Sequence, residues 1–243
     1  MNTLLLLLTD SRAPAGAHHH SGGMEAAVGT GLVTGPASLE DFCRARLRTS
    51  ARVAAAFAAA ACLLQSDDPE RTPVSAPPIP PARSRDPREW AVLNAEFEAR
   101  VVSEAMRAAS RQLGGGLARL LRSLLPEADL VTPWARCGRP APHHPLVLGA
   151  GIHLAGGSAE LAARVAALAA CTGPASAAVR LLGLDPFAVQ AMLARLAADI
   201  DDCAASAARA AGQPPSSLPS DGAPAFDLLA DFHLTAEVRL FAS

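Results

Sequence analysis

Apolar positions recur along this chain with helical spacing. Leu39, Phe42, Leu47 and Val53 form the core stripe of a helix that opens at Ser38-Leu39-Glu40-Asp41, a capping-box pattern, and runs to about Gln65. A shorter helix, Met24 to Val33, precedes it and ends in glycines. Leu93, Phe97, Val101 and Met106 mark one face of a long helix from Trp90 to about Leu113, with Glu, Arg and Asn opposite. Gly114-Gly115-Gly116 costs up to about 1 kcal/mol per residue against Ala, so it marks a break, a kink or a close helix contact. Leu117 to Leu125 resumes helically until Pro126.

The second half continues in the same way. Pro133 to Pro145 reads as a loop, and His144-Pro145 opens a buried helix to Ala155. Ser158 caps the next helix, through about Cys171, and Thr172-Gly173-Pro174 separates it from Ala175 to Leu182. Asp185-Pro186 starts a last long helix to about Ala210. Small residues at Gly149, Gly151 and Gly156 suit closely packed helices. Two stretches break the pattern: Ser66 to Arg88 holds seven prolines among charges and reads as a mobile insertion, and residues 212–225 read as a Pro/Ser-rich linker. The tail, 226–243, carries Phe226, Leu229, Phe232, Leu240 and Phe241, and is expected to be exposed and to dock a partner.

Composition sharpens the fold class. Half of the 243 residues are apolar, mostly Ala and Leu, with no Tyr, which favours one all-α domain with a substantial core. The chain has no Lys, which excludes a P-loop and Schiff-base chemistry. A net charge of −2 with scattered arginines gives no field for nucleic acid. Cys43, Cys62, Cys137, Cys171 and Cys203 are odd in number and widely spaced, as suits thiols in a reducing cytoplasm. Leu4 to Leu8 lacks the basic flank and length of a signal peptide, and charges or glycines punctuate every apolar stretch short of a membrane span.

The candidate chemistry lies near the N-terminus. Asp10-Ser11-Arg12-Ala13-Pro14-Ala15-Gly16 and His20-Ser21-Gly22-Gly23-Met24-Glu25 form a turn-rich polar signature between helices. His18-His19-His20 can offer imidazoles to a divalent metal such as nickel, so a metal-binding protein or metal-dependent enzyme built on His18 and His20 is the alternative reading. No His-Glu-x-x-His or Cys/His finger spacing supports a closed site. Asp10, Ser11 and His20 lack a nucleophile elbow, and Val147 to Ile152 lacks the third glycine and the βαβ unit of a dinucleotide loop.

The spacing Leu-Leu-x-x-x-Asp-Ser-x-x-Pro-x-Gly-x-x-x-His-Ser-Gly-Gly-x-Glu resembles the N-terminal region of the urease accessory protein UreF family, in its actinobacterial variant. Glu104 to Leu121, His144-Pro145, Ser176 to Leu184 and the terminal Arg239-Leu240-Phe241-Ala242-Ser243 extend the likeness. The resemblance implies an all-α, dimeric, non-catalytic scaffold. Such a scaffold binds UreD (UreH), recruits the GTPase UreG, and helps couple GTP hydrolysis to nickel delivery into apo-urease. Nickel is then handled by the complex and GTP by the partner, with no cofactor bound stably here. It further implies partner contacts at Asp10, Ser11, Pro14, Gly16, His20, Ser21, Gly22 and Glu25, at Arg180, and at Arg239, Leu240 and Phe241. The tail departs from the family pattern, since His233 is followed by Leu234 rather than Glu.

Overall fold

The computed structural model describes residues 3–10, 21–65, 87–126 and 142–235. All but the last two residues of the Pro-rich insertion, and Ser11, Pro14, Gly16, His18, His20, Arg239, Leu240 and Phe241, lie outside them. The described residues form eleven α-helices and one 3-10 turn, and no strand. The helices are α1 (Thr3–Thr9), α2 (Met24–Gly29), α3 (Pro36–Arg48), α4 (Ser50–Gln65), α5 (Pro87–Arg100), α6 (Glu104–Leu124), α7 (His144–Leu154), α8 (Ala159–Leu182), α9 (Pro186–Arg195), α10 (Ala197–Ala210) and α11 (Pro224–Thr235). The expected all-α bundle is what the chain forms.

Helix α4 is the axis. It is apolar almost all round, from Ala51 to Leu64, and packs against α7, α8, α10 and α5. Small side chains let these neighbours approach closely. At Gly149 in α7 an added Cβ would fall 2.0 Å from the Ala58 carbonyl oxygen, so backbone meets backbone there. Gly151 makes room for the Leu121 side chain instead, whereas Gly156 takes a left-handed conformation (φ 79°) just past the helix. In α6, Gly114 sits 2.1 Å, by the same measure, from the Pro142 carbonyl oxygen. The glycine triplet therefore lies within a continuous helix, with Gly114 as the point of close contact.

Helix boundaries correct the sequence reading in several places. The helix expected from Ser38 to Gln65 starts at Pro36, with Ser38 in its first turn accepting the Thr34 and Gly35 N–H groups. It breaks at Thr49 into α3 and α4, bent by 46°. The helix expected from Trp90 to Leu113 divides at 101–103, where Ser103 caps α6 by accepting the Met106 N–H and Arg107 donates to the Val101 and Val102 carbonyls. The last long helix divides at Leu196. In the opposite sense, Thr172-Gly173-Pro174 separates nothing, because α8 runs straight through it. That merger makes α8 long and apolar enough, by length and composition, to cross a membrane, although it lies in the bundle against α4 and α10.

Residues 212–225 are tied down by Arg100. Its guanidinium donates to the carbonyls of Pro215, Ser216, Leu218 and Pro219, pairs with Glu96 at 2.5 Å, and lies 5.2 Å from the Phe57 ring centroid. One side chain thereby gathers four carbonyls of an irregular stretch, of which the 3-10 turn also pairs Pro215 through the Leu218 N–H. The four described cysteines are buried thiols. Burial pushes Cys62 up to about 12 and Cys203 to about 11, and bonding to Cys43 together with burial raises Cys171 as well.

Candidate functional site

The N-terminal turn is built by glycines. Gly22 and Gly23 hold left-handed φ values of 62° and 86°, which a side chain would strain. Ser21 is fully buried, and its hydroxyl accepts the Glu25 N–H at 3.3 Å, which starts α2. Glu25 and Gly22 are half-buried beside it, and Asp10 is half-buried just past α1. Arg180, by contrast, is exposed in the last turn of α8 and does not line the site described next.

What holds the turn in place is Arg46, which the sequence reading passed over. Its Nη1 donates to the Gly22 carbonyl at 2.8 Å and its Nε to the Ala170 carbonyl at 3.1 Å. The guanidinium carbon lies 5.9 Å from the Phe42 ring centroid and 5.6 Å from that of Phe226, and the two rings meet edge to face at 4.9 Å. Burial lowers the Arg46 pKa from its ordinary value, and an arginine stays cationic there. Phe226, expected to be exposed in the tail, is instead 9% exposed and part of the core. Leu229 packs against that core too, while Leu228 beside it is 70% exposed.

Helix α11 is anchored a second time at the start of α6. The Ser103 hydroxyl donates to Asp231 at 2.7 Å and its N–H to Asp227 at 3.3 Å. Both carboxylates thus sit at a helix N-terminus, where the dipole favours negative charge. Between these anchors lies a cavity of about 220 Å³, lined among others by Gly22, Arg46, Ser50, Phe97, Met106 and Phe226. The Ser50 hydroxyl is buried without a hydrogen-bond partner.

His143 is the other unusual group. It caps α7, is fully buried against Phe97 with ring centroids 4.9 Å apart, and neither ring nitrogen has a partner. Desolvation, helped by Arg111 and Arg107, pushes its pKa down to about 3, so it is neutral at physiological pH. Its backbone N–H donates to the buried Asn94 side chain at 3.1 Å. Among the described residues, no group of three or more His, Cys, Asp or Glu side chains could hold a metal ion. The site is a junction of helix ends, with a glycine turn and an arginine set beside an aromatic pair.

Comparison with known proteins identifies the bundle that carries this junction. A family model described as UreF matches residues 33–197. The chain is 41% identical over 241 residues to the "Urease accessory protein UreF" of Mycobacterium sp. (strain JLS), covering 99% of this chain and 98% of that one. It is 39% identical over 245 residues to the protein of the same name from Mycobacterium marinum (strain ATCC BAA-535 / M), covering both chains completely. A Mycobacterium tuberculosis (strain CDC 1551 / Oshkosh) relative of that name is 39% identical over 185 residues, 75% of this chain and 74% of its own. The helical fold, the family-wide match over the bundle and the full-length relatives agree, and the chain belongs to the UreF family of urease accessory proteins.

Proposed function

We propose that this chain is a non-catalytic scaffold of urease maturation. It binds UreD (UreH), the pair recruits the GTPase UreG, and the assembly couples GTP hydrolysis on UreG to delivery of nickel, the cargo, into apo-urease. The observation that carries the reading is the match along essentially the whole chain to proteins named for urease accessory work. In this reading the chain works in the cytoplasm, as a dimer within the complex, and its buried thiols suit a reducing compartment.

The junction supports an interface role. The Ser21, Gly22 and Glu25 turn and the start of α11 converge on Arg46, so two candidate partner contacts share one support. The Asp10, Ser11, Pro14, Gly16 and His20 segment precedes the turn in sequence, and Arg239, Leu240 and Phe241 follow α11 in sequence. Arg180 does not line the described junction, as a separate contact for the GTPase would not. Exposed Leu228 and Phe187 add apolar surface of the kind partners cover.

The test is co-purification of the chain with UreD and UreG, with GTP and nickel present. A stable ternary complex is expected. It should be lost on deletion of 236–243, a cut that spares the core residue Phe226. Elution of the intact chain alone in the presence of both proteins overturns the proposal.

A further inference from the structure

Pro174 lies inside α8 and has no N–H, so the Ala170 carbonyl one turn earlier loses its intrahelical donor. Arg46 supplies the replacement through Nε. The same proline supports the N-terminal turn, since a Cβ on Gly22 would lie 3.3 Å from Pro174 Cγ. The Gly22 carbonyl takes the other edge of the Arg46 fork, and the Phe42 and Phe226 rings meet the guanidinium together from one side. Among the described residues no carboxylate pairs with Arg46. Its charge is therefore spent on two carbonyls and two rings, and those four groups come from the turn before α2, from α8, from α3 and from α11.

We propose that Arg46 is a positioning residue that couples the N-terminal turn to α11, so that the turn and α11 are held or released together as one docking surface. The coupling is a property of the free chain. Only the last clause, the docking, rests on the scaffold reading.

The physical route is short. Phe226 lies 5.6 Å from the guanidinium, and a half-buried cation beside rings, partly withdrawn from water, donates more strongly to its carbonyls. If α11 lifts, water reaches Arg46 and competes for the Gly22 carbonyl, and the turn loosens. If the turn lifts, the guanidinium loses a bond that keeps it against Phe226. Direct contacts between α2 and α11 offer a competing route, which the test must separate.

Hydrogen exchange on the full chain does so. Phe226→Leu is expected to speed exchange of peptides covering 21–30 about tenfold, the equivalent of about 1.4 kcal/mol, while α4 and α7 keep their protection. In an Arg46→Met background the same substitution should add less than about twofold at 21–30, because the coupling element is already gone. Arg46→Lys serves as a second background if the Met variant does not fold, since an ammonium lacks the planar fork. Equal acceleration in both backgrounds, or none at 21–30 in either, overturns the proposal. Capture of UreD is then read on the same variants. Loss of capture by Arg46→Met with the fold intact supports the shared surface, and undiminished capture overturns that clause. Failure of the unmodified chain to bind UreD counts against the scaffold reading and leaves the exchange result standing.

Discussion

Where α4 crosses α7, the chain is held by what its residues lack. Gly149 has no side chain, Ala58 has almost none, and two backbones meet with no long side chain between them. At the junction of the N-terminal turn with α11 the means are reversed, because one long cationic side chain on α3 reaches carbonyls and a ring on three other elements. The difference teaches where this bundle can move. Close apolar packing has no intermediate state, since any separation forfeits contacts at once. A hydrogen-bonded arginine can exchange its partners for water, at a modest net difference.

The strongest way to break the contrast is to add one methyl group to the seam. Gly149→Ala places a Cβ in the space of the Ala58 carbonyl and should cost about 1–3 kcal/mol or more, seen as a lower midpoint in urea with an unchanged slope. A variant as stable as the parent would show that the seam yields, and the distinction from the junction would fall.

His143 probes the same dry region by pH. Its folded pKa of about 3 lies below the unfolded value of about 6.5, so the unfolded state binds the proton first. The stability it contributes is complete above pH 6.5 and is lost as pH falls from there toward 3, by at most about 1.4 kcal/mol per unit. His143→Leu should flatten that limb of a stability-against-pH curve, and an unaltered limb would place the titration elsewhere.

On the polar side, Ser103→Ala removes both the α6 cap and the hydroxyl on Asp231. A loss of about 1 kcal/mol is expected, with faster exchange confined to α11 and the first turn of α6. Spread of the effect into α4 would mean that the junction and the seam unfold as one unit. The smallest effect belongs to the rim, where Arg195 pairs with Glu40 at 2.7 Å and holds its carboxyl below the ordinary value. Arg195→Ala should leave the urea midpoint nearly unchanged and remove what salt sensitivity that pair confers.

Much of the fold was legible because it is written locally. Leu39, Phe42, Leu47 and Val53 are all buried as their spacing implies, and His144-Pro145 and Asp185-Pro186 do begin helices. The misses have one cause. Nothing in Arg44-Ala45-Arg46-Leu47-Arg48 sets Arg46 apart, because its partners are elsewhere in the chain. Arg100 looked equally ordinary, and Phe226 looked like a loose aromatic near the end. One signal was available: Pro174 within a helical pattern strips a donor from Ala170, so either the helix ends or another group must donate. The sequence reading chose the first, and the structure takes the second.

The sequence by itself determined that the protein is helical, that its core is built from Ala and Leu, that lysine chemistry is excluded, and that its motifs resemble one family. These follow from composition, short-range periodicity and motif spacing, which need no knowledge of neighbours in space. Only the tertiary structure decided which helices run through and which break, that Phe226 is core, and that Arg46 supports both the N-terminal turn and α11. Each of those depends on groups far apart in sequence, as Arg46 and Ala170 are by 124 positions, and a hydrogen bond between them exists only once the bundle has closed.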